Sequence, residues 1–491
     1  MATALAMKPV EKKHGLGYWM ESVLEECDRA AVDFSADPVH DLRVALRRCR
    51  SMADGLMAID PDPAWKRMKK AGRQLFRQLG ELRDTQVMED WIHKLATPGD
   101  PAASAILRFL ATQESAHKQK AAQALGEFDV KQWKKWSASL PRREGKIPAG
   151  SLLYKHLALE RWTEAYRLHR RAIRTRSSVP WHSLRIGIKR FRYIVENFLP
   201  EHYEAWIADL KELQDALGEI HDFDVLWATA VEIQAFPDEA SRSHWHDRLE
   251  QERNRRMEQY REKMVGKNSL WQVWRAELPR GKEIEAAAFA RLKFWASVLD
   301  PDFRHSLYVA RFALQLHDGF SAHPKPSREF VQERKVLELA AWLHDVGIAK
   351  RQKDHHKASA RLLQELNPPL GVKKETLRLV GSVGRYHRGA LPHRGQKTFD
   401  QIPSSERRMA VKLAAILRLA NAFDAEHNRQ IDRIEVEKRD GFFLISARGY
   451  NSRSKTAETI AAARHLLEVL MRKPILVRAL PGPGIHRKTG S

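Results

Sequence analysis

The chain has 491 residues, of which 85 are Lys or Arg and 62 are Asp or Glu, giving a formal net charge of +23. That length is too great for one ordinary domain, and that charge calls for a polyanionic partner: nucleic acid, a phosphate polymer or an acidic membrane surface. Only two cysteines, Cys27 and Cys49, are present, which excludes a disulfide framework and points to a reducing compartment. No run approaches the ~20 apolar residues of a spanning helix, and the apolar patch in MATALAMKPVEKKHG is too short for a signal peptide, so a cytosolic protein is expected.

Taken in order, residues 10–35 read as an amphipathic helix. Val39 to Arg50 (VHDLRVALRRCR) follows as a second. On a helix His40, Arg43, Arg47 and Arg50 form one cationic stripe, with Leu42, Leu46 and Cys49 beside it as an apolar one. No acid interrupts the cations, so a group outside the helix is expected to neutralise them. The stretch WKRMKKAGRQLFRQLGELRDTQVM from Trp65 reads as a single basic helix, and Ser139 to Gly150 as a linker or long loop. A very basic helix is expected from Leu152 to Arg176, carrying Lys155, Arg161, Arg167, Arg170, Arg171 and Arg174.

The cationic stripe then recurs. Trp181 to Arg192 (WHSLRIGIKRFR) places His182, Arg185, Lys189 and Arg192 at the same four offsets. Downstream, LGELRDTQV (Leu79 to Val87) is matched by LGEIHDFDV (Leu217 to Val225). Two blocks repeated in the same order at nearly equal spacing make an internal duplication. Strand signals are absent from this half, so two similar helical units are expected.

A boundary is expected near Leu278 to Gly281. Beyond it, helices are expected over Ile284–Val298, Asp302–Phe320, Glu329–Ile348, His355–Leu366, Lys374–Arg388 and Ser404–His427. Two strands, IDRIEVEKRD and FFLISARGY, meet at Asp440-Gly441 in a hairpin. A helix from Thr456 to Met471 and a basic tail, expected to be disordered over 481–491, close the chain.

The repeated blocks VHDLRVALRRCRS and WHSLRIGIKRFRYIVE, with their LGE…D…V partners, resemble the two signature halves of the CHAD domain. This resemblance implies a duplicated helical bundle over 10–275 (repeats about 10–138 and 150–275) that binds inorganic polyphosphate and does no chemistry. It implies phosphate contacts from His40, Arg43, Arg47, Arg50, His182, Arg185, Lys189 and Arg192, with Arg48, Arg190 and Tyr193 as extras. DNA readout is disfavoured, because no helix-turn-helix or zinc-finger spacing and no aromatic basic sheet is present.

In the second half, dispersed His and Asp residues surround the dipeptide His344-Asp345. Such residues suit divalent ions such as Mn²⁺, Mg²⁺ or Fe²⁺, which polarise a phosphoryl oxygen and acidify a bound water. Any one of these histidines alone reads as a surface or capping residue. Together, HSLYVARFALQLHD, AAWLHDVG, HHKASARLL, RYHRGALP and ILRLANAFDAEH resemble the HD-domain phosphohydrolases, and more narrowly the C-terminal HD-like domain of the exopolyphosphatase/guanosine pentaphosphate phosphohydrolase family. The resemblance covers 283–480 and implies an α-helical domain with a small C-terminal β-hairpin. It implies His305, His344 and Asp345 as metal ligands, with His356 and His387 on a second metal. Lys357, Arg385 or Arg388 would hold phosphate. Where the superfamily carries Asp in an LAD sequence, this chain has Asn421, and Asp424 one turn on is the substitute candidate. In that family this domain need not be catalytic: it can grip substrate while a separate ATPase-fold domain hydrolyses it, and since that fold's Gly-rich phosphate loops are absent here, any catalysis must come from the HD site.

The sequence therefore predicts a mostly α, two-domain, cytoplasmic protein associated with polyphosphate granules. It would bind inorganic polyphosphate and carry a metal-dependent phosphohydrolase domain acting on that polymer or on a phosphorylated nucleotide. The alternative is a non-catalytic polyphosphate-binding scaffold whose HD-like domain has lost its metal site.

Overall fold

A computed structural model describes residues 15–32, 34–321 and 327–480. The chain is mostly α-helical, and its internal contacts divide it into two compact units, Met1–Arg280 and Gly281–Ser491. The tail at 481–491 lies outside the described residues. No helix among those residues is long and apolar enough to cross a membrane.

In the first unit, helix Leu16–Val32 packs on Ala36–Met57, Arg73–Leu95 on Pro101–Gly126, and Val130–Glu144 returns to Leu16–Val32. The buried Trp133 locks this last contact, its indole N–H donating to the Met20 carbonyl at 3.0 Å. The second copy repeats the scheme: Leu152–Ala172 packs on Ser178–Phe198, and Pro200–Glu232 on Glu239–Met264. Two expectations are corrected. The stretch from Trp65 is two helices, Pro63–Ala71 and Arg73–Leu95, parted at Gly72, where an added Cβ would press on Leu46 at 3.3 Å. The first half of the expected linker, Ser139 to Glu144, is helix, because Val130–Glu144 runs through Pro141.

The repeats meet where Ala36–Met57 packs against Ser178–Phe198. Gly55 sits at that crossing: a Cβ there would stand 2.6 Å from the Phe198 ring and 2.9 Å from Ile194. Across the same contact Asn197 donates to Ser51 Oγ at 3.0 Å, and Arg48 pairs with Glu196 at 2.5 Å.

The second unit has one large helical core. It includes Val309, Phe312, Leu316, Leu337, Val380, Leu413 and Leu417, all essentially inaccessible. The expected hairpin forms between β1 (Arg433–Lys438) and β2 (Phe443–Arg448), with Gly441 at φ 81° in its turn. The sequence reading missed a third strand, β3 (Ile475–Ala479). It runs parallel to β2 after the helix Lys455–Met471. Only Ile475 of β3 is buried, so its apolar signal was short.

Candidate functional site

In the first unit the duplicated helices bring Arg43 and Arg47 from one copy near Arg185 and Lys189 from the other. Among the described residues none of the four forms an ion pair within 4.0 Å. The buried Nε atoms of Arg43, Arg47 and Arg185 have no hydrogen-bond partner. Burial pushes the Lys189 amine down to about 8, helped by repulsion from Arg185, Arg43 and Arg47. Burial likewise lowers the Arg43 guanidinium, with Asp84 opposing and Arg47 assisting. Mutually repelling cations withdrawn from water without counterions are costly unless an anion joins them.

Two acids that the sequence reading did not assign face this cluster. Asp84 and Asp222 are equivalent residues of the LGE blocks. Burial raises both carboxyls against the pull of Arg185 and Lys189, Asp222 to about 6. Their invariance between the two copies was the available signal. A cavity of about 290 Å³ opens here, lined by Arg83, Lys94, Arg185, Lys189, Asp215 and Asp222 among others.

The other expected contacts lie elsewhere. His40 is exposed. Arg50 donates to the Lys69 carbonyl at 2.6 Å and covers the Phe76 ring, which Arg43 also approaches. Arg48 and Arg192 share Glu196, and Arg190 pairs with Glu164. His182 meets His221, their Nδ1 atoms 3.3 Å apart, and burial with Arg185 and His182 lowers the His221 imidazole to about 4. Tyr193 borders a separate hollow with Arg161 and Arg190.

In the second unit, His344 and Asp345 cap the helix Arg328–Leu343. Three imidazoles surround the Asp345 carboxylate: His355 Nε2 at 3.1 Å, His344 Nε2 at 3.4 Å and His387 Nε2 at 3.8 Å. In each ring Nδ1–H donates to a backbone carbonyl: His344 to Ala341 at 2.8 Å, His355 to Gln352 at 3.1 Å and His387 to Gly384 at 2.7 Å. That bond fixes the tautomer and leaves the Nε2 lone pair facing inward, the arrangement that holds metal-ligating histidines. His344 Nε2, His355 Nε2 and Asp345 Oδ1 are buried without a hydrogen bond of acceptable geometry. Although burial works against it, His344, His355 and His387 hold the Asp345 carboxyl well below the usual range. Asp345, His355 and His387 form one group that could hold a metal ion, and His305, His344 and Asp345 form another. The donor set fits a divalent ion.

His355, which the sequence reading passed over for its neighbour, is the residue beside Asp345. Gly347 explains how it gets there. A Cβ at Gly347 would run into the His355 carbonyl oxygen and the Ser359 amide, so only glycine lets this helix approach the His-Asp turn. His356 instead lies against Gly389. Burial, with Arg385 and Arg388 nearby, lowers its imidazole to about 4. Its Nδ1 and the Arg385 Nη1 are buried without partners. Lys357 pairs with Asp354 at the surface. Both ring nitrogens of His305 are engaged, Nδ1 with Asp424 at 2.8 Å and Nε2 with Asn421 at 3.0 Å. Asp424 also accepts from the Arg429 amide. Asp300, unassigned from the sequence, is buried near Asp345 and His344 and accepts from Ser306 at 2.6 Å.

Comparison with known families agrees with the resemblances read in the sequence. Residues 21–231 match the CHAD domain. Residues 293–458 match the Ppx/GppA phosphatase, domain III. Among solved structures, the chain is similar to the CHAD domain from the plant Ricinus communis at 20% identity, over 55% of this chain and 89% of that one. The TM-score of 0.36 is too low to bear on the argument. No curated protein matches the chain.

Proposed function

We propose that the first unit captures inorganic polyphosphate and that the second is a metal-dependent phosphohydrolase acting on the polymer or on a phosphorylated nucleotide. The observation that carries the capture reading is the cluster of Arg43, Arg47, Arg185 and Lys189, half-buried, without ion pairs among the described residues and drawn from both repeats. Arginine forks match phosphate oxygens, and a flexible phosphate chain can thread between helices that a stiff duplex could not enter. The CHAD match supports polyphosphate over nucleic acid.

The hydrolase reading rests on the inward-facing set of His344, Asp345, His355 and His387. Imidazoles predominate over carboxylates, which favours Mn²⁺ or Fe²⁺ over Mg²⁺. A bound ion of this kind supplies Lewis acidity and an acidified water. The chain's own contribution is to orient the ligands, and Arg385 with His356 offers donors to a phosphoryl group. A second reading, a scaffold without turnover, draws on one observation: His305 is tied to Asn421 and Asp424 rather than left open.

Two measurements test the proposal. Polyphosphate should compete away duplex DNA at matched salt; equal competition by both would refute selective capture, since both interactions weaken as salt rises. Purified protein should bind Mn²⁺ or Fe²⁺ and release phosphate from polyphosphate or a phosphorylated nucleotide. Bound metal without turnover on either would select the scaffold.

A further inference from the structure

The first helix of each repeat packs in the same way but shows water opposite charges. At the 142-residue offset that relates His40 to His182, Met20, Val23, Cys27 and Ala30 coincide with Trp162, Ala165, His169 and Ala172, and all eight are buried. The exposed positions fall in register too. Glu21, Glu25 and Asp28 of the first copy become Thr163, Arg167 and Arg170 of the second, and Val32 becomes Arg174. Only Arg29 and Arg171 keep their charge. In the first copy Arg29 is neutralised by Glu26 at 2.8 Å and Asp41 at 3.6 Å. In the second, Arg167, Arg170, Arg171 and Arg174 form no ion pair among the described residues. They line a groove of about 590 Å³ together with Thr163, Tyr166, Thr175 and Pro180.

Packing does not explain this inversion, because the buried positions are the ones that match. Solubility does not either: the chain is already far from neutrality, and four like charges crowded between Arg167 and Arg174 repel one another. Tyr166 is stacked on Trp162, ring centroids 4.9 Å apart, and lies near His169, so its faces are occupied by the protein rather than offered to a base. What the groove offers is a row of guanidinium groups, which recognise successive phosphates.

We propose that this arginine groove is a second polyanion-binding surface, specific to the second repeat, that engages inorganic polyphosphate chains longer than the cavity of about 290 Å³ holds. The inference rests on the reading of the cavity as a polyphosphate site. The groove confers chain-length selectivity: short chains bind the cavity alone, and long chains reach both surfaces and gain by effective concentration.

The test restores the first copy's charges in the full chain with the double substitution Arg167→Glu and Arg170→Asp. Affinities for tripolyphosphate and for long-chain polyphosphate are measured over a salt series, with thermal unfolding as a control for folding. The expected result is a loss of about tenfold or more for the long chain, a shallower salt dependence and an unchanged affinity for tripolyphosphate. A long-chain affinity that does not change overturns the groove. An equal loss for both lengths also overturns it, because that reports only the protein's overall field. If the unsubstituted protein binds neither length, the cavity reading fails first and the groove with it. Arg171→Ala with Arg174→Ala gives a milder second variant, expected to shift in the same direction.

Discussion

The two units solve opposite electrostatic problems. In the first, cations outnumber the acids that face them: Arg43, Arg47, Arg185 and Lys189 are half-buried, form no ion pair within 4.0 Å among the described residues, and meet only Asp84 and Asp222 at longer range. In the second, one carboxylate sits among three imidazoles whose orientation is fixed by backbone carbonyls. The first arrangement can bind an extended anion by charge but offers nothing poised to break a bond. The second can hold a cation and polarise a bond at the Asp345 cluster. On the proposed reading, capture and chemistry fall to separate folded units, and each should be abolished without the other.

That separation predicts a double dissociation. The largest effect is expected from Asp345→Asn, which removes the carboxylate that the three imidazoles surround. Metal affinity should fall about 100-fold or more, with polyphosphate capture unchanged, by metal analysis and calorimetry. A fall in polyphosphate affinity as well would break the comparison. Conversely, Arg43→Glu with Arg185→Glu should cost polyphosphate affinity about 100-fold and leave metal content intact, since each reversal removes a charge-assisted contact and adds a repulsion.

A smaller effect sharpens the cavity itself. Burial pushes the Lys189 amine down to about 8 and the Asp222 carboxyl up to about 6. As pH falls below 8 the lysine gains its charge, and below 6 the aspartate loses its own. Both steps favour the anion, so affinity should rise by roughly threefold to tenfold across each window. Lys189→Arg should flatten the upper limb and Asp222→Asn the lower one, as read from polyphosphate titrations between pH 9 and 5. The smallest effect is expected from Arg190→Ala, which breaks only the exposed pair with Glu164. Affinity should stay within about twofold and stability within about 0.5 kcal/mol, measured by titration and denaturant unfolding. A larger loss would draw Arg190 into the cavity.

The helical architecture and the duplication were legible because amphipathic periodicity and repeated blocks are local signals. Of the eight stripe residues, the four at the centre, Arg43, Arg47, Arg185 and Lys189, gather together. Arg50 turns to Phe76 and Arg192 to Glu196, because a stripe is wider than the seam it packs into. Asp84 and Asp222 were visible as repeated letters, but only their burial beside the cations gives them a role. In the second unit, sequence order could not choose between His355 and His356. The helix start after Asp354, with φ at 62°, and the close approach at Gly347 turn the first of them inward. The third strand escaped notice because one buried residue is too little pattern to read.

The seam between Gly55 and Phe198 also bears on how the protein comes to be folded. Its hydrogen bond from Asn197 to Ser51 spans 146 residues of chain. Contacts that distant pay their loop-closure entropy before they return any stabilisation, and they form late. During synthesis the first repeat can acquire its helices while its half of the cationic cluster is still open to solvent. The cavity is complete only after Asp222 has emerged, because its lining extends that far along the chain. Over that interval Arg43 and Arg47 remain hydrated, so the cost of burying them falls on the final docking of the two repeats. An anion bound by the docked repeats would stabilise that product.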